Sequence, residues 1–415
     1  MPTHNLIFWT LRHRKSREII GRISDVIFGW MIRPISFITP RIKKKWVIGN
    51  KTGWNDNSKY LTIELTKNNP ENLRIIWIAK NREQRDLVRT KGVEAYSKWS
   101  IKGIYHTLTA GAFFYSSSIS DINYWTSGRA FKLNMWHGVG LKKLGMKQSD
   151  VYNPHSLTTK ILTPFFYDKP TFFIGPSDMM SRHFADCYQL EDSRMLKIGY
   201  PRNEFILKDK GFILDHIKKF ESDKTCDLVK KIEHSQKVYI YMPTFRDDQH
   251  DFIKASGLDF QKLNELLKEK DSLLLLKLHP ATRVDSINFD ALDNIIAIDK
   301  TVDIYPILPF TDVLITDYSS IYYDYILLKD KDVILFPFDY EEYISNSRDF
   351  AYDYLTYAPS VKAWNFEDLY FIIKNDKSLF FPERQEIIKT FWGTNYMHAV
   401  DKIKNVAKKQ LDCKI

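Results

Sequence analysis

From Trp46 onward, short apolar runs of strand length alternate with longer polar stretches of helical length. The runs are Trp46 to Gly49, Leu73 to Ile78, Ala112 to Tyr115 and Leu133 to His137, with a helical stretch from Ser58 to Lys67. A second series follows: Val238 to Met242, Leu273 to Leu278, Ile295 to Ala297, Val313 to Ile315 and Val333 to Phe336. Strands separated by helices imply βαβ units and a parallel, doubly wound sheet. At 415 residues the chain suits two such sheets rather than one. The polar, Lys-rich stretch near residues 207–235 is the expected boundary. Two Rossmann-like halves in an α/β chain are therefore the expected architecture. No G-x-G-x-x-G follows a strand, which disfavours a dinucleotide oxidoreductase, and there is no P-loop.

Residues 1–45 have a different character. Ile19, Ile20, Ile23, Val26, Ile27, Trp30, Met31 and Ile32 recur at helical spacing among Arg17, Arg22 and Arg33, and Pro34 and Pro40 are expected to end the helix. Basic clusters at Arg12 to Lys15 and Arg41 to Lys45 flank it. An apolar face carrying Trp between basic clusters suits an interfacial helix on an anionic membrane surface, the alternative being a helix docked on the protein itself. The net charge of +10 favours phosphate-bearing partners without choosing among nucleic acid, lipid and polymer. Hydrophobic residues at 44% and charged residues at 27% exclude a disordered chain. Three scattered cysteines, Cys187, Cys226 and Cys413, argue against a disulfide framework or zinc site and for a reducing cytosol. No stretch reaches the roughly 18–20 apolar residues a membrane span needs, and Met1 to Thr10 lacks a signal-peptide pattern.

In open α/β sheets ligands bind beyond the carboxyl ends of strands, and several polar clusters fall there. His137 follows a strand and opens a loop with Gly138, Gly140, Lys142 and Lys143; it reads equally as a general base or as a structural histidine. Arg202, in Gly199-Tyr200-Pro201-Arg202-Asn203-Glu204, suits bidentate phosphate binding, although alone it reads as a solvated arginine on a turn. Pro243, Thr244 and Arg246 end one strand, and Lys277-Leu278-His279-Pro280 ends another. Most distinctive is Thr316-Asp317-Tyr318-Ser319-Ser320, running to Asp324, where a strand ends and an amphipathic helix is expected to start near Ser319. Serines at a helix start cap it and leave N–H groups for a diphosphate.

Taken in order, these segments resemble the CDP-glycerol glycerophosphotransferase family, the teichoic acid primases and polymerases and their capsule-building relatives. The resemblance rests on Trp136 to Gly138 with Leu141 to Gly145, Gly199 to Asn203, Pro243 to Asp247, Lys277 to Pro280 and Thr316 to Asp324. It implies a GT-B type fold of two Rossmann-like domains facing a central cleft. The expected division is a basic membrane-association segment at 1–45, an acceptor domain at 46–210, a CDP-donor domain at 211–390, and a helix at 391–415 packing back on the first domain.

By the same resemblance, His137 is the base that activates the acceptor hydroxyl, and His279 contacts the donor diphosphate and assists departure of CMP. Arg202, Pro243, Thr244, Arg246, Thr316, Asp317, Ser319, Ser320 and Asp324 fall to the donor and its phosphates. Gly138, Gly140, Lys142 and Lys143 fall to the acceptor-side loop. The implied reaction moves glycerol phosphate from CDP-glycerol to a lipid-linked saccharide or polymer at the cytoplasmic face of the membrane, with no required cofactor, no metal site and no nucleic acid. The chain departs from the family pattern at Val139-Gly140, where Thr-Pro is usual, at Glu204, where Asp is usual, and at Asp332, where Pro is frequent. A CDP-ribitol donor, a sugar-nucleotide glycosyltransferase and a non-enzymatic basic binding protein are the alternatives.

Overall fold

The structure, a computed structural model, describes residues 16–142, 144–147, 157–244, 246, 255–278, 288–346 and 350–413. The chain divides into two compact units, one holding residues up to 137, 144–204 and 392 onward, the other 138–143 and 205–391.

The first unit is built on seven parallel strands: β1 (Ile42–Gly49), β2 (Arg74–Ala79), β3 (Ala95–Ser97), β4 (Ala110–Tyr115), β5 (Phe131–Asn134), β6 (Phe172–Ile174) and β7 (Met195–Leu196). Their spatial order is β3-β2-β1-β4-β5-β6-β7. Val47 of β1 pairs with Ile76 on one side and Phe113 on the other, and all three are fully buried. Burial on both faces is why these strands are continuous apolar runs rather than alternating ones. Because β1 lies beside β4, the winding direction reverses between them, which leaves a crevice at their carboxyl ends. β5 stops at Asn134, so His137 sits three residues beyond the strand rather than on it. The final helix, Ala399–Cys413, packs on β5 and on the helix Asp56–Lys67, and its Val400 N–H donates to the Glu204 carboxylate at 3.1 Å.

The amino-terminal helix, α1 (Ser16–Ile38), runs through Pro34 instead of stopping there. Tertiary anchors hold the last turn. Ser36 Oγ donates to Arg33 O and accepts Gly128 N–H, and Arg33 lies 4.1 Å from the Tyr124 ring centroid. The helix docks through a narrow stripe of Gly29, Ile32 and Ser36. A Cβ at Gly29 would lie 2.2 Å from the Trp125 ring, so only glycine permits this approach. On its open side Ile23, Ile27, Met31, Ile35 and Ile38 remain exposed, at 47% or more each. None of the described helices is long and apolar enough to cross a membrane.

The second unit has six parallel strands: β8 (Lys237–Met242), β9 (Ser272–Leu276), β10 (Ile295–Ala297), β11 (Val313–Thr316), β12 (Asp332–Leu335) and β13 (Val361–Lys362). Their order, β10-β9-β8-β11-β12-β13, repeats the same topology, with its reversal between β8 and β11. Its core includes Leu274, Leu276, Ile315 and Ile334. Two boundaries differ from expectation. The second unit takes up the chain at Phe205, where the expectation is 211, because Phe205 packs on His216 and Phe212 of the following helix. Residues 138–143 group with the second unit, since Lys142 bridges to Phe350 and Ala351 N–H donates to Leu141 O.

The segment after α1 depends on Arg41, whose guanidinium donates to the carbonyls of Ser36, Thr107, Ala110, Thr126 and Gly128. Arg41→Met strands those carbonyls, and we expect about 3 kcal/mol or more of lost stability, read as a lowered urea midpoint.

Candidate active site

In the first unit the crevice between β1 and β4 is furnished by the residues that follow each strand. The helix α2 (Asp56–Lys67) starts there, with Ser58 Oγ donating to Gly49 O and Ser116 Oγ accepting Ser58 N–H. His137 reaches the same place by a strained route. Trp136 has φ +56°, a left-handed conformation that a bulky residue adopts only when its surroundings impose it. Asn134 Oδ1 accepts Trp136 N–H at 2.9 Å, and Asn57 Nδ2 donates to Trp136 O at 2.7 Å. The indole is buried against Phe173, Phe184 and Tyr188. This turn leaves the next residue, His137, exposed, with Nδ1 3.2 Å from Ser116 O. A carbonyl can only accept, so Nδ1 carries the hydrogen and the basic lone pair falls on Nε2.

Arg202 belongs to the same cluster. Its backbone N–H donates to Asn57 Oδ1 at 3.2 Å, and its guanidinium pairs with Asp56 at 2.8 Å, both side chains being largely buried. Beside it the Asn203 amide is buried, and neither its nitrogen nor its oxygen has a hydrogen-bond partner among the described residues. Asp56 and Asn57 were not singled out from the sequence. The signal was Asn55-Asp56-Asn57 at a helix start shortly after the first strand. After β4, in the turn Ile119–Asp121, lies Asp121, whose Oδ2 accepts the amides of Ser117 and Ser118. Burial pushes its carboxyl up from 3.8 to about 7, against the pull of those two amides.

In the second unit the corresponding crevice lies where Pro243 and Thr244 follow β8, and Asp317 follows β11. Asp317 accepts the N–H groups of Thr244 at 2.8 Å and Tyr318 at 2.6 Å. Its other oxygen takes the Arg246 guanidinium at 2.8 Å, and Asp339 takes the same group at 2.7 and 2.9 Å. Arg246 Nη1 donates to Thr244 O. Burial works against the Arg246 charge, but Asp317 and then Asp339 more than offset it and hold its pKa above the ordinary arginine value. Arg246 and Asp317, expected at the donor phosphates, are thus committed to one another. Thr316 Oγ1 donates to Met242 O and ties the two strands. Asp324 is buried and accepts the Tyr305 hydroxyl at 2.6 Å.

The expected amphipathic helix from Ser319 is instead a single turn, Ile321–Tyr325, buried on every side. Ser320 precedes it without a side-chain capping bond, and Ser319 and Ser320 are half-buried at the end of β11. Pro243 is buried just after β8, and Gly138 and Gly140 are buried in the loop that carries Lys142. Lys142 joins the Tyr343 hydroxyl. Lys277 donates to the carbonyls of Asp299, Lys300 and Val302, and burial lowers its pKa. His279 and Lys143 lie outside the described residues. Among the described residues no three His, Cys, Asp or Glu side chains gather as a metal site.

Two parallel, doubly wound sheets with polar residues collected at their switch points define an α/β protein of the GT-B-like class. The solved structure of the wall teichoic acid polymerase TagF has the same fold, with a TM-score of 0.73 at 22% identity over 96% of this chain and 98% of that one. Residues 35–392 match the model of the CDP-glycerol:poly(glycerophosphate) glycerophosphotransferase family, and the chain belongs to that family. A teichoic acid poly(ribitol-phosphate) polymerase of Bacillus spizizenii is 30% identical over 59% of this chain and 38% of its own length. A teichoic acid poly(glycerol phosphate) polymerase of Bacillus subtilis is 27% identical over 77% of this chain and 42% of its own. The match to these two relatives thus covers less than half of their length. A teichoic acid glycerol-phosphate transferase of Staphylococcus aureus is 27% identical over 72% of this chain and 75% of its own length.

Two outcomes test the site's construction. Removing the guanidinium in Arg246→Met leaves Asp317 and Asp339 buried without their cation, and we expect about 3–5 kcal/mol of lost stability, measured by denaturation. A residue serving only to hold donor phosphate would raise KM at unchanged stability. Asp121, when folded, keeps a proton that the unfolded chain has released. Its contribution therefore declines by about 4 kcal/mol as pH rises from about 4 to about 7 and is flat above. Asp121→Asn should flatten that slope in a series of denaturation curves.

Proposed function

We propose that the chain transfers glycerol phosphate from CDP-glycerol to a hydroxyl of a membrane-linked cell-surface polymer or its linkage unit, releasing CMP. The observation that carries this reading is His137, held with Nδ1 toward a carbonyl and Nε2 as its base. Nε2 takes the proton of the acceptor hydroxyl as that oxygen bonds to the β-phosphorus. The bond from that phosphorus to the bridging oxygen breaks, and CMP leaves with the electron pair. Positioning and charge stabilisation supply most of the acceleration in phosphoryl transfer. Ser319 and Ser320 are assigned to the donor phosphates: Ser320 makes no side-chain capping bond, and the Ser319 hydroxyl accepts Ile321 N–H at 3.4 Å, which leaves its O–H to donate. Arg202, braced by Asp56, is assigned to a phosphate oxygen, and His279 to the departing CMP. Membership of the family supports the reading. The exposed apolar stripe of α1 supports a peripheral seat on a membrane surface, assigned to the cytoplasmic face.

CDP-ribitol is the second reading, favoured by the likeness to a poly(ribitol-phosphate) polymerase. CMP release measured with CDP-glycerol, CDP-ribitol and UDP-sugars separates them; turnover with a UDP-sugar alone would sink both. His137→Ala should lower kcat by about 10²–10⁴-fold with an unchanged melting temperature, because the side chain is exposed. His279→Ala should likewise slow CMP release.

A further inference from the structure

Two openings on the first unit share a wall made of Tyr167, Asp168 and Lys169. The first is a cavity of about 290 Å³ lined by Asn134 and Trp136, the pair that sets His137, together with Ser117, Ser118 and Tyr188. Aromatic faces interleaved with hydroxyls and an amide suit a sugar or polyol, whose C–H face stacks while its hydroxyls bond.

The second opening is a groove of opposite character. It is lined by Arg33, Lys132, Lys160 and Lys169, and its single carboxylate, Asp168, is taken by Lys132. Neither Lys160 nor Lys169 has an ion-pair partner among the described residues. Cations gathered in a concave, partly walled site concentrate positive potential and select a multiply charged anion. The groove also borders the apolar surface. Arg33 lies on α1, and Lys160 lies on the short helix Leu157–Leu162, whose Ile161 O accepts the Trp30 indole N–H at 3.2 Å. Leu157 and Ile161 are exposed there, beside the open apolar stripe of α1.

The order across this face is therefore apolar stripe, basic groove, aromatic and hydroxyl-lined cavity, then His137. We propose that the groove binds the phosphate that joins the acceptor to its lipid, with the acceptor's saccharide in the cavity and its hydroxyl toward His137. This deepens the acceptor side of the proposed function and rests on that reading. An ordinary anionic phospholipid would occupy the groove but has no use for the cavity beyond the shared wall. A saccharide attached to lipid through phosphate fills both.

The test is direct binding, which needs no turnover. Affinities of a detergent-solubilised lipid diphosphate saccharide, and of the same saccharide as a neutral alkyl glycoside, are measured by calorimetry for the full chain and for Lys160→Glu/Lys169→Glu. Lys409→Glu, on the exposed side of the final helix, serves as the charge control. The double reversal should weaken the diphosphate ligand about tenfold more than the neutral one, the loss of one good charged contact. Equal weakening of both ligands, or no weakening of the diphosphate ligand, overturns the proposal. So does equal weakening of a lipid-free glycerol phosphate oligomer, which would make the groove a site for any chain phosphate. A reversal that only abolishes flotation with phosphatidylglycerol vesicles assigns the groove to bulk lipid and also overturns it. Failure of the wild type to release CMP from any CDP-polyol counts against the proposed function and leaves these affinities readable.

Discussion

The side-chain amide of Asn57 is the point on which the first unit's site turns. Its nitrogen bonds the carbonyl of Trp136 and its oxygen bonds the amide of Arg202, joining segments that lie 79 and 145 residues away in sequence. A buried amide that satisfies two backbone groups at once leaves both orphaned if it is lost, which is what makes such a link costly to break. Asn57 stands in the first turn of α2, and that turn is placed by β1, an inner strand beside the switch point. The position of His137 is therefore inherited from topology. Its own neighbours contribute the left-handed turn at Trp136, and Asn57 and Asn134 keep that turn in place.

The second unit reaches rigidity at its switch point by charge instead. Asp317, Arg246 and Asp339 form a buried cluster with one cation and two carboxylates, and Tyr318 donates its hydroxyl to Asp339 while stacking on Tyr343 at 3.9 Å. Ions removed from water are stable only when every lone pair finds a donor, so this cluster leaves little of itself for a ligand. What it does is hold the ends of β8 and β11 in register, with Ser319 and Ser320 just beyond. The two units thus use the same topological opening differently. One presents a histidine on a strained turn; the other presents hydroxyls just beyond a braced strand end.

The strands were legible because parallel strands buried on both faces must be continuous apolar runs, as in Val238 to Met242 and Val313 to Ile315. The short strands β3, β6, β7 and β13, three of them at sheet edges, carry too few residues for such a run and are not legible in the sequence. Pro34 predicts a helix end because proline lacks an amide hydrogen, but bonds from Ser36 and Arg41, distant partners included, carry α1 past it. An arginine at a strand end, such as Arg246, predicts a phosphate ligand; its two carboxylate partners lie 71 and 93 residues away. The pairing that decides its role is tertiary, and spacing in the sequence does not contain it. Asp56 and Asn57 were missed for the same reason, since an acidic residue and an asparagine at a helix start have an adequate local explanation.

The same division between local pattern and distant partner explains how α1 keeps an open apolar side. Among the described isoleucines of α1 only Ile32 is spent on the protein; a helix that docked by burying its other isoleucines would have no apolar side left. Here docking is carried by a glycine against Trp125, by Arg33 over Tyr124, and by the Arg41 guanidinium in a cage of carbonyls. These contacts use backbone and charge, so the stripe from Ile23 to Ile38 stays exposed while the helix is held. An exposed apolar stripe of this length is unfavourable in water unless something covers it. Holding the helix by its arginines fixes the direction in which that stripe faces, and it faces outward beside Arg33, the residue that also lines the basic groove.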